Sequence, residues 1–427
     1  MAYATRLHPA WTALLLVAAT ATSALAQAVE PVRSLAAREK PALLDTLKAL
    51  VSIESGSRDI EGLGKIADLI AARLRELGGQ VELVEVSNVY KMEDTPEQIG
   101  KMVRATFTGT GSKKILLIAH MDTVYQRGML EKQPFRIDGD RAYGLGIADD
   151  KHGVALILHT VSMLKALDFK AFGTLTVLIN ADEELSSPGS RSLLTRLGAE
   201  HDATFSVEGS RVESDKLALA TAGIASFTLN VEGRASHAGS APERGINAIY
   251  ELAHQMLQTR NLSDHETGLK MNWTMANGGR TRNMIPPNAQ AQADVRVLKV
   301  EDYDGIEKTV RERIKTKLLP DSKVDVIFER RRPPLEATPA SRALAKHAQQ
   351  IYREIGKQLV VDEVAEGGGT DAAFASLETK VPVIERFGLQ GYGSHSIEAE
   401  YVLISSIEPR LYLLTRLIMD VAQEKAK

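Results

Sequence analysis

The segment 173–187, GTLTVLINADEELSS, decides how the chain folds. Its first half is a short apolar run, the pattern of a strand buried on both faces of a sheet. Its second half sets Asp182, Glu183 and Glu184 side by side where that strand must end. Three adjacent carboxylates repel one another, and a plain polar turn needs none of them. A second run of the same kind, KKILLIAHMDTV (113–124), ends in His120 and Asp122, and a third, ATFSVEGS (203–210), ends in Glu208. Helical spacing fills the intervals, in DDKHGVALILHTVSMLKAL (149–167) and near 190–197. Acidic residues open the first of these helices, where its dipole favours them. Strands alternating with helices predict an α/β domain with a mostly parallel sheet. Ahead of it, amphipathic helices are expected at 38–52 and 66–77, with strands in QVELVEV (80–86) and MVRATFTG (102–109).

The texture changes near Ala222. GIASFTLNVEGR, a helix through NAIYELAHQMLQT, LKMNWTMANGG, NAQAQADVRVL, a helix over about 301–318 and SKVDVIFERR follow in turn. That β-α-β-β-α-β order marks a small α+β sandwich of one sheet and two helices. After RRPP (331–334) the α/β texture returns, with a helix near 340–354, the Gly-rich EGGGTDAAF, the strand VPVIERFG and a final helix. One domain inserted in another accounts for this order. The expected divisions are 27–221 and 334–427 for the outer domain and 222–333 for the insert, with Pro333-Pro334 at one crossing.

A chain of 427 residues is too long for one compact core, which fits two domains. A formal net charge of −3 supports neither nucleic-acid binding nor a polybasic membrane surface. Residues 1–26 differ from the rest. Arg6 precedes the apolar WTALLLVAATAT, and SALAQ then offers small residues at Ala24 and Ala26, the pattern of a signal peptide cleaved after Ala26. The apolar stretch is too short for a transmembrane anchor. The expected location is therefore periplasmic or secreted. There is no cysteine, so disulfides and thiolate ligands are both excluded, and a metal must be held by His, Asp and Glu.

In open parallel sheets, ligands bind beyond the carboxyl ends of the strands. His120, Asp122, Glu183, Glu184 and Glu208 fall at such ends, Asp149 and Asp150 in the turn GLGIADDKHG, and His395 in GYGSHSIEAEYV after the last strand. Singly, each has a bland reading: a loop histidine, a helix cap, a solvated glutamate. Together, repelling carboxylates at one sheet edge call for a cation, and imidazole with carboxylate suits Zn²⁺, with Co²⁺ or Mn²⁺ as substitutes.

AHMDTVY (119–125), GLGIADDKHG (144–153), NADEE (180–184), SVEGS (206–210), RASHAGSAPERGINA (234–248), RNMIPPNAQAQADVR (282–296), GGGTDAAF (367–374) and GSHSIEAEYV (393–402) resemble the M20 zinc peptidases in sequence and order. The secreted glutamate carboxypeptidases among them are the nearest match, over nearly the whole chain after residue 26. The resemblance implies a catalytic domain with a mixed, mostly parallel sheet and helices on both faces, and a ferredoxin-like dimerisation insert. It implies two zinc ions per subunit. Asp149 matches the carboxylate that bridges them, often across a cis peptide to Asp150. His120 and Glu208 match the other ligands of one ion, and Glu184 and His395 those of the second. Asp122 matches the carboxylate that orients His120, and Glu183 the general base. In an extended segment, adjacent side chains point to opposite sides, so Glu183 and Glu184 could divide their tasks. His237 matches a histidine that crosses a dimer interface to stabilise the oxyanion.

For the substrate, the resemblance assigns Arg296, Arg332, Asn283, Lys216, Gly368 and Thr370 to a C-terminal carboxylate and the residue bearing it. Three positions depart from the pattern. Ala218 stands where a small hydroxyl is expected, and Glu366 where glutamate-selective enzymes carry Thr. His152 replaces a usual Gly and reads as an exposed residue at a helix start. An added acid disfavours an acidic substrate side chain. The leading expectation is a di-zinc carboxypeptidase that removes a C-terminal amino acid, glutamate from folate-type conjugates first, from a small-molecule or short-peptide substrate. The alternatives are an N-acyl-amino-acid hydrolase or dipeptidase with another preference, and a non-catalytic binding protein on the same scaffold.

Overall fold

The computed structural model describes residues 1, 27–396 and 399–426. The expected signal peptide lies, apart from Met1, outside the described residues. Among them no helix is long and apolar enough to cross a membrane.

The central sheet takes β1 (Gln80–Val84), β2 (Met102–Thr108), β3 (Lys114–His120), β4 (Thr174–Asn180) and β5 (Ala203–Ser206), in the order β1-β2-β4-β3-β5, with Val383–Ile384 as a sixth strand beyond β5. β1–β2 and β2–β4 pair antiparallel, whereas β4–β3, β3–β5 and the last pair are parallel. The sheet is thus mixed, and its parallel half carries the chemistry. β3 and β4 are buried almost end to end, which accounts for their continuous apolar sequences. Helices Val32–Val51, Ile60–Glu76, His152–Ala166, Pro339–Glu354 and Ile407–Ala422 supply much of the surrounding apolar core. Each fully buried Leu, Ile or Phe contributes about 1.5–3 kcal/mol relative to exposure.

Two helices start earlier than their spacing predicts. The first begins at Val32 and contains Pro41, while the second begins at Ile60, where Asp59 accepts a bond from Gly62 N at 3.0 Å. Helix breakers at Pro41, Gly62 and Gly64 hide those first turns in the sequence.

Residues 223–332 build a separate antiparallel sheet from β6 (Gly223–Glu232), β7 (Lys270–Gly278), β8 (Asn288–Val297) and β9 (Lys323–Arg332), in the order β7-β8-β6-β9. Ala225, Phe227, Leu229 and Val231 alternate inward along β6 and meet Tyr303, Ile306 and Val310 of the helix Asp302–Arg313. This apolar cluster draws its buried members only from residues 225–326. The opposite sheet face is polar, with Gln290, Gln292, Asp294 and Arg296 on β8.

Candidate active site

Three parallel strands end at one sheet edge, and that places His120, the segment 181–184 and Glu208 together. Asp122 organises them. Its carboxylate lies 3.3 Å from His120 Nδ1 and accepts bonds from Ser57 Oγ (2.8 Å), Glu183 N (3.1 Å) and Glu184 N (3.2 Å). One buried carboxylate therefore orients the imidazole and fixes the backbone of both glutamates.

Asp149 is shared. Its Oδ1 lies 3.0 Å from His120 Nε2, which is also 3.3 Å from Glu208 Oε1. Its Oδ2 lies 3.3 Å from His395 Nε2, which is 3.2 Å from Glu184 Oε2. The peptide from Asp149 to Asp150 is cis, and the Asp150 carboxylate falls on the His120–Glu208 side. Burial pulls the His120 imidazole down, but Glu208, Asp122 and Asp149 outweigh it and hold its pKa well above the ordinary value. Hydrogen bonds to Asp149 and Glu184 push His395 up to about 11, while burial and the Asp149 charge push Glu184 up to about 7. Burial pushes the Asp149 carboxyl up, but the hydrogen bonds of His120 and His395 outweigh it and hold it below the ordinary value. Both Asp150 oxygens and Glu184 Oε1 are buried without a hydrogen-bond partner among the described residues. Imidazole nitrogens and unspent carboxylate oxygens, in two groups linked through Asp149, form a donor set that fits divalent zinc-type cations.

Glu183 and Glu184 do divide, though not as neighbours on an extended strand: residues Glu183–Leu185 form a 3₁₀ turn. Glu184 faces His395, whereas Glu183 Oε1 lies 2.8 Å from Arg332 Nη1. Arg332 Nη2 also donates to the Glu183 carbonyl at 2.6 Å. Burial raises the Glu183 pKa well above the carboxylate range, against the pull of Arg332. Arg332 is itself buried and lies 3.3 Å from Asp371 Oδ1, and Asp371 Oδ2 accepts from Asn180 at 2.7 Å. Asp182, left without a task by the sequence, accepts from Gly189 N, Ser190 N and Ser190 Oγ, and so fixes the chain just past the site.

A cleft of about 580 Å³ opens over these groups, with Arg332, Arg386, Arg211 and the turn Gly368–Thr370 in its walls. Lys216 is buried behind it and paired with Asp362 and Glu366. Arg296 is held by Asp294 and donates to Gly367 O at 2.8 Å. His237 and Asn283 are absent from the cleft lining: they sit together on the insert, where Ala238 N donates to Asn283 O at 2.9 Å. His152 is not exposed, contrary to its reading as a helix-start residue. It is fully buried, with Nδ1 at 3.0 Å from Ile147 O and its ring against Gly209 and Gly388, where a Cβ on Gly388 would collide with Nε2.

Ser57, Asn180, Asp371 and Glu400 were not singled out from sequence. Glu400 accepts from Gly146 N (3.0 Å), Ala148 N (2.8 Å) and Tyr125 Oη (2.5 Å), clasping the turn that carries Asp149. Asp371 and Glu400 lie within two of the motifs that carry the family resemblance, a signal that could have found them.

Cations held by imidazole and carboxylate polarise carbonyl groups, and a glutamate beside them, outside both ligand groups, is placed to move a proton. Fold and site together define a metallohydrolase. Residues 116–420 match the model of peptidase family M20/M25/M40, and the chain belongs to that family. It is a metallo-exopeptidase of carboxypeptidase type. Carboxypeptidase G2 of Pseudomonas sp. (strain RS-16) is 44% identical over 414 residues, covering 97% of this chain and 97% of its own. Acetylornithine deacetylase of Photorhabdus laumondii is 29% identical over 56% of this chain and 63% of its own. The crystal structure of aminopeptidase PepT from Bacillus cereus superposes with a TM-score of 0.73 at 22% identity, covering 90% of this chain and 99% of that one.

Proposed function

We propose that this protein is an exported, zinc-dependent carboxypeptidase that hydrolyses the amide bond before a C-terminal amino acid, with glutamate on a pteroyl or p-aminobenzoyl group as the leading substrate. The observation that carries this reading is Asp149, shared between two imidazole–carboxylate groups with Glu183 beside them but in neither. The 44% identical carboxypeptidase supports the choice of bond.

His120, Glu208 and Asp149 would hold one zinc ion, and Glu184, His395 and Asp149 the other. When bound, the pair polarises the scissile carbonyl and acidifies water. Glu183 takes a proton from the attacking water and delivers it to the leaving amine. Arg332 and the turn at Gly368–Thr370 receive the substrate's α-carboxylate. That exchange gives Arg332 a new carboxylate partner and frees Glu183 for the proton. A second recess of about 680 Å³ on the far side of Glu184, with Tyr125 in its wall, is wide enough for an aromatic acyl group.

The reading includes a homodimer formed through residues 222–333. β7 is an edge strand with exposed Met275, and Ile249, Tyr250 and Leu257 are exposed on the neighbouring helix Ala248–Thr259. An open strand edge beside apolar side chains suits a self-complementary two-fold contact. Sedimentation should give a dimer, and charged substitutions at Met275 and Tyr250 should yield monomers.

Dialysis against a strong chelator should abolish hydrolysis, and zinc should restore it at about two equivalents per chain, the number this site assignment needs. Restoration at one equivalent would remove the paired-ion reading. The substrate is tested with p-aminobenzoyl-glutamate and methotrexate against matched conjugates ending in aspartate, phenylalanine or alanine. Hydrolysis without glutamate preference would favour the second reading, an N-acyl-amino-acid hydrolase or dipeptidase. The pairing of Lys216 with Glu366 speaks for that reading, because it occupies a cation that an acidic side chain would need.

A further inference from the structure

Beside the cleft, three cations converge on one carboxylate. Glu366 Oε1 lies 2.6 Å from Lys216 Nζ, and Glu366 Oε2 lies 3.0 Å from Arg211 Nη2 and 3.7 Å from Arg386 Nη2. Lys216 is almost wholly buried and has Asp362 Oδ2, also at 2.6 Å, as its other partner. Arg211 and Arg386 line the cleft in company with Glu183, Glu184 and Arg332. Among the described residues, Glu366 is the one carboxylate that all three cations share. Without it, Lys216 would keep Asp362 and Arg386 the field of Glu385, and the shared anion position beside the cleft would stand vacant.

The Glu366 side chain is not what holds its loop. Ala222 N donates to the Glu366 carbonyl at 3.3 Å, and Arg296 Nη1 to the Gly367 carbonyl at 2.8 Å. Both bonds end on backbone carbonyls of the loop and survive a change of the Glu366 side chain. The carboxylate therefore acts chiefly on the charge of the cleft wall.

We propose that Glu366 is a specificity-determining residue whose carboxylate takes the place of a substrate side-chain carboxylate, so that the cleft accepts neutral C-terminal residues alongside glutamate. The proposal rests on the carboxypeptidase reading and specifies its selectivity. A substrate ending in glutamate meets a cation cluster already satisfied by a tethered acid and must compete with it. One ending in alanine or phenylalanine has no such competitor. Discrimination of this kind works through a repulsive element as much as an attractive one.

The experiment compares wild type, Glu366→Gln and Glu366→Thr in the zinc-loaded full chain on p-aminobenzoyl-glutamate and p-aminobenzoyl-alanine. The glutamate-to-alanine ratio of kcat/KM should rise about tenfold in both variants, carried mainly by KM, the size expected for one uncompensated charge in a partly exposed site. Alanine hydrolysis should stay within about threefold of wild type. Adding Lys216→Met to Glu366→Thr should cancel the gain. An unchanged ratio, or an equal loss on both substrates, would show that Glu366 only supports its loop. Calorimetric titration of the same proteins with N-acetyl-glutamate and N-acetyl-alanine gives the ratio independently of turnover. If no protein hydrolyses either conjugate, the carboxypeptidase reading fails, while the calorimetric ratio still decides the role of Glu366.

Discussion

Replacing Glu183 by glutamine should reduce turnover by about 10³-fold or more and leave the bound metal at the wild-type level. The expectation follows from how Glu183 is held. Its amide donates to Asp122, its carbonyl accepts from Arg332, and its carboxylate meets the same guanidinium in a buried setting. Glutamine keeps the volume and can still accept a hydrogen bond from Arg332. It cannot accept a proton from water, so the loss should fall on kcat with little change in KM. Glu183 belongs to neither ligand group, whereas Glu184 faces His395 and Asp149. The neighbouring change Glu184→Gln should therefore cost metal, and the two variants separate the tasks of adjacent residues. Activity of Glu183→Gln within about tenfold of wild type, or loss of zinc from it, would refute the base assignment.

Three of the proposed ligands, His120, Glu184 and Glu208, were legible because each stands at or just past the end of a buried strand, whereas Asp149 and His395 lie in turns and were placed only by the family motifs. Once three such strands are parallel, their ends must share an edge, so His120, Glu184 and Glu208 meet without further information. Residues that support the site carry no such mark. Asp371 meets Asn180 across 191 positions of sequence, and Glu400 meets Ala148 across 252. No local period links a lone polar residue to a partner that distant. His152 misled for a different reason. The first turn of a helix is ordinarily solvated, but this helix is buried from His152 through Leu158 and begins beneath the Glu208 loop. The missing Cβ of Gly388 leaves room for its imidazole. The division between Glu183 and Glu184 was anticipated from strand alternation, yet a 3₁₀ turn produces it.

His237→Ala should slow hydrolysis about 10²–10³-fold with zinc content unchanged, the loss expected for one oxyanion donor. In its own chain this histidine is exposed on the insert and takes no part in the cleft or in either ligand group. Its tautomer is nevertheless set for donation. Nδ1 accepts from Gly239 N and Ser240 N, each at 3.1 Å, which leaves the proton on Nε2. A histidine prepared as a donor, but away from its own site, would find its catalytic use in the site of a second copy in the proposed dimer. Mixing His237→Ala with Glu183→Gln tests this directly. In a mixed dimer, the site with an intact Glu183 would face the intact His237 of the other subunit. Random pairing of equal amounts makes half the dimers mixed, each with one working site of two, so activity should recover to about a quarter of wild type. A donor acting within its own chain predicts no recovery, because every site would then lack either the base or the donor.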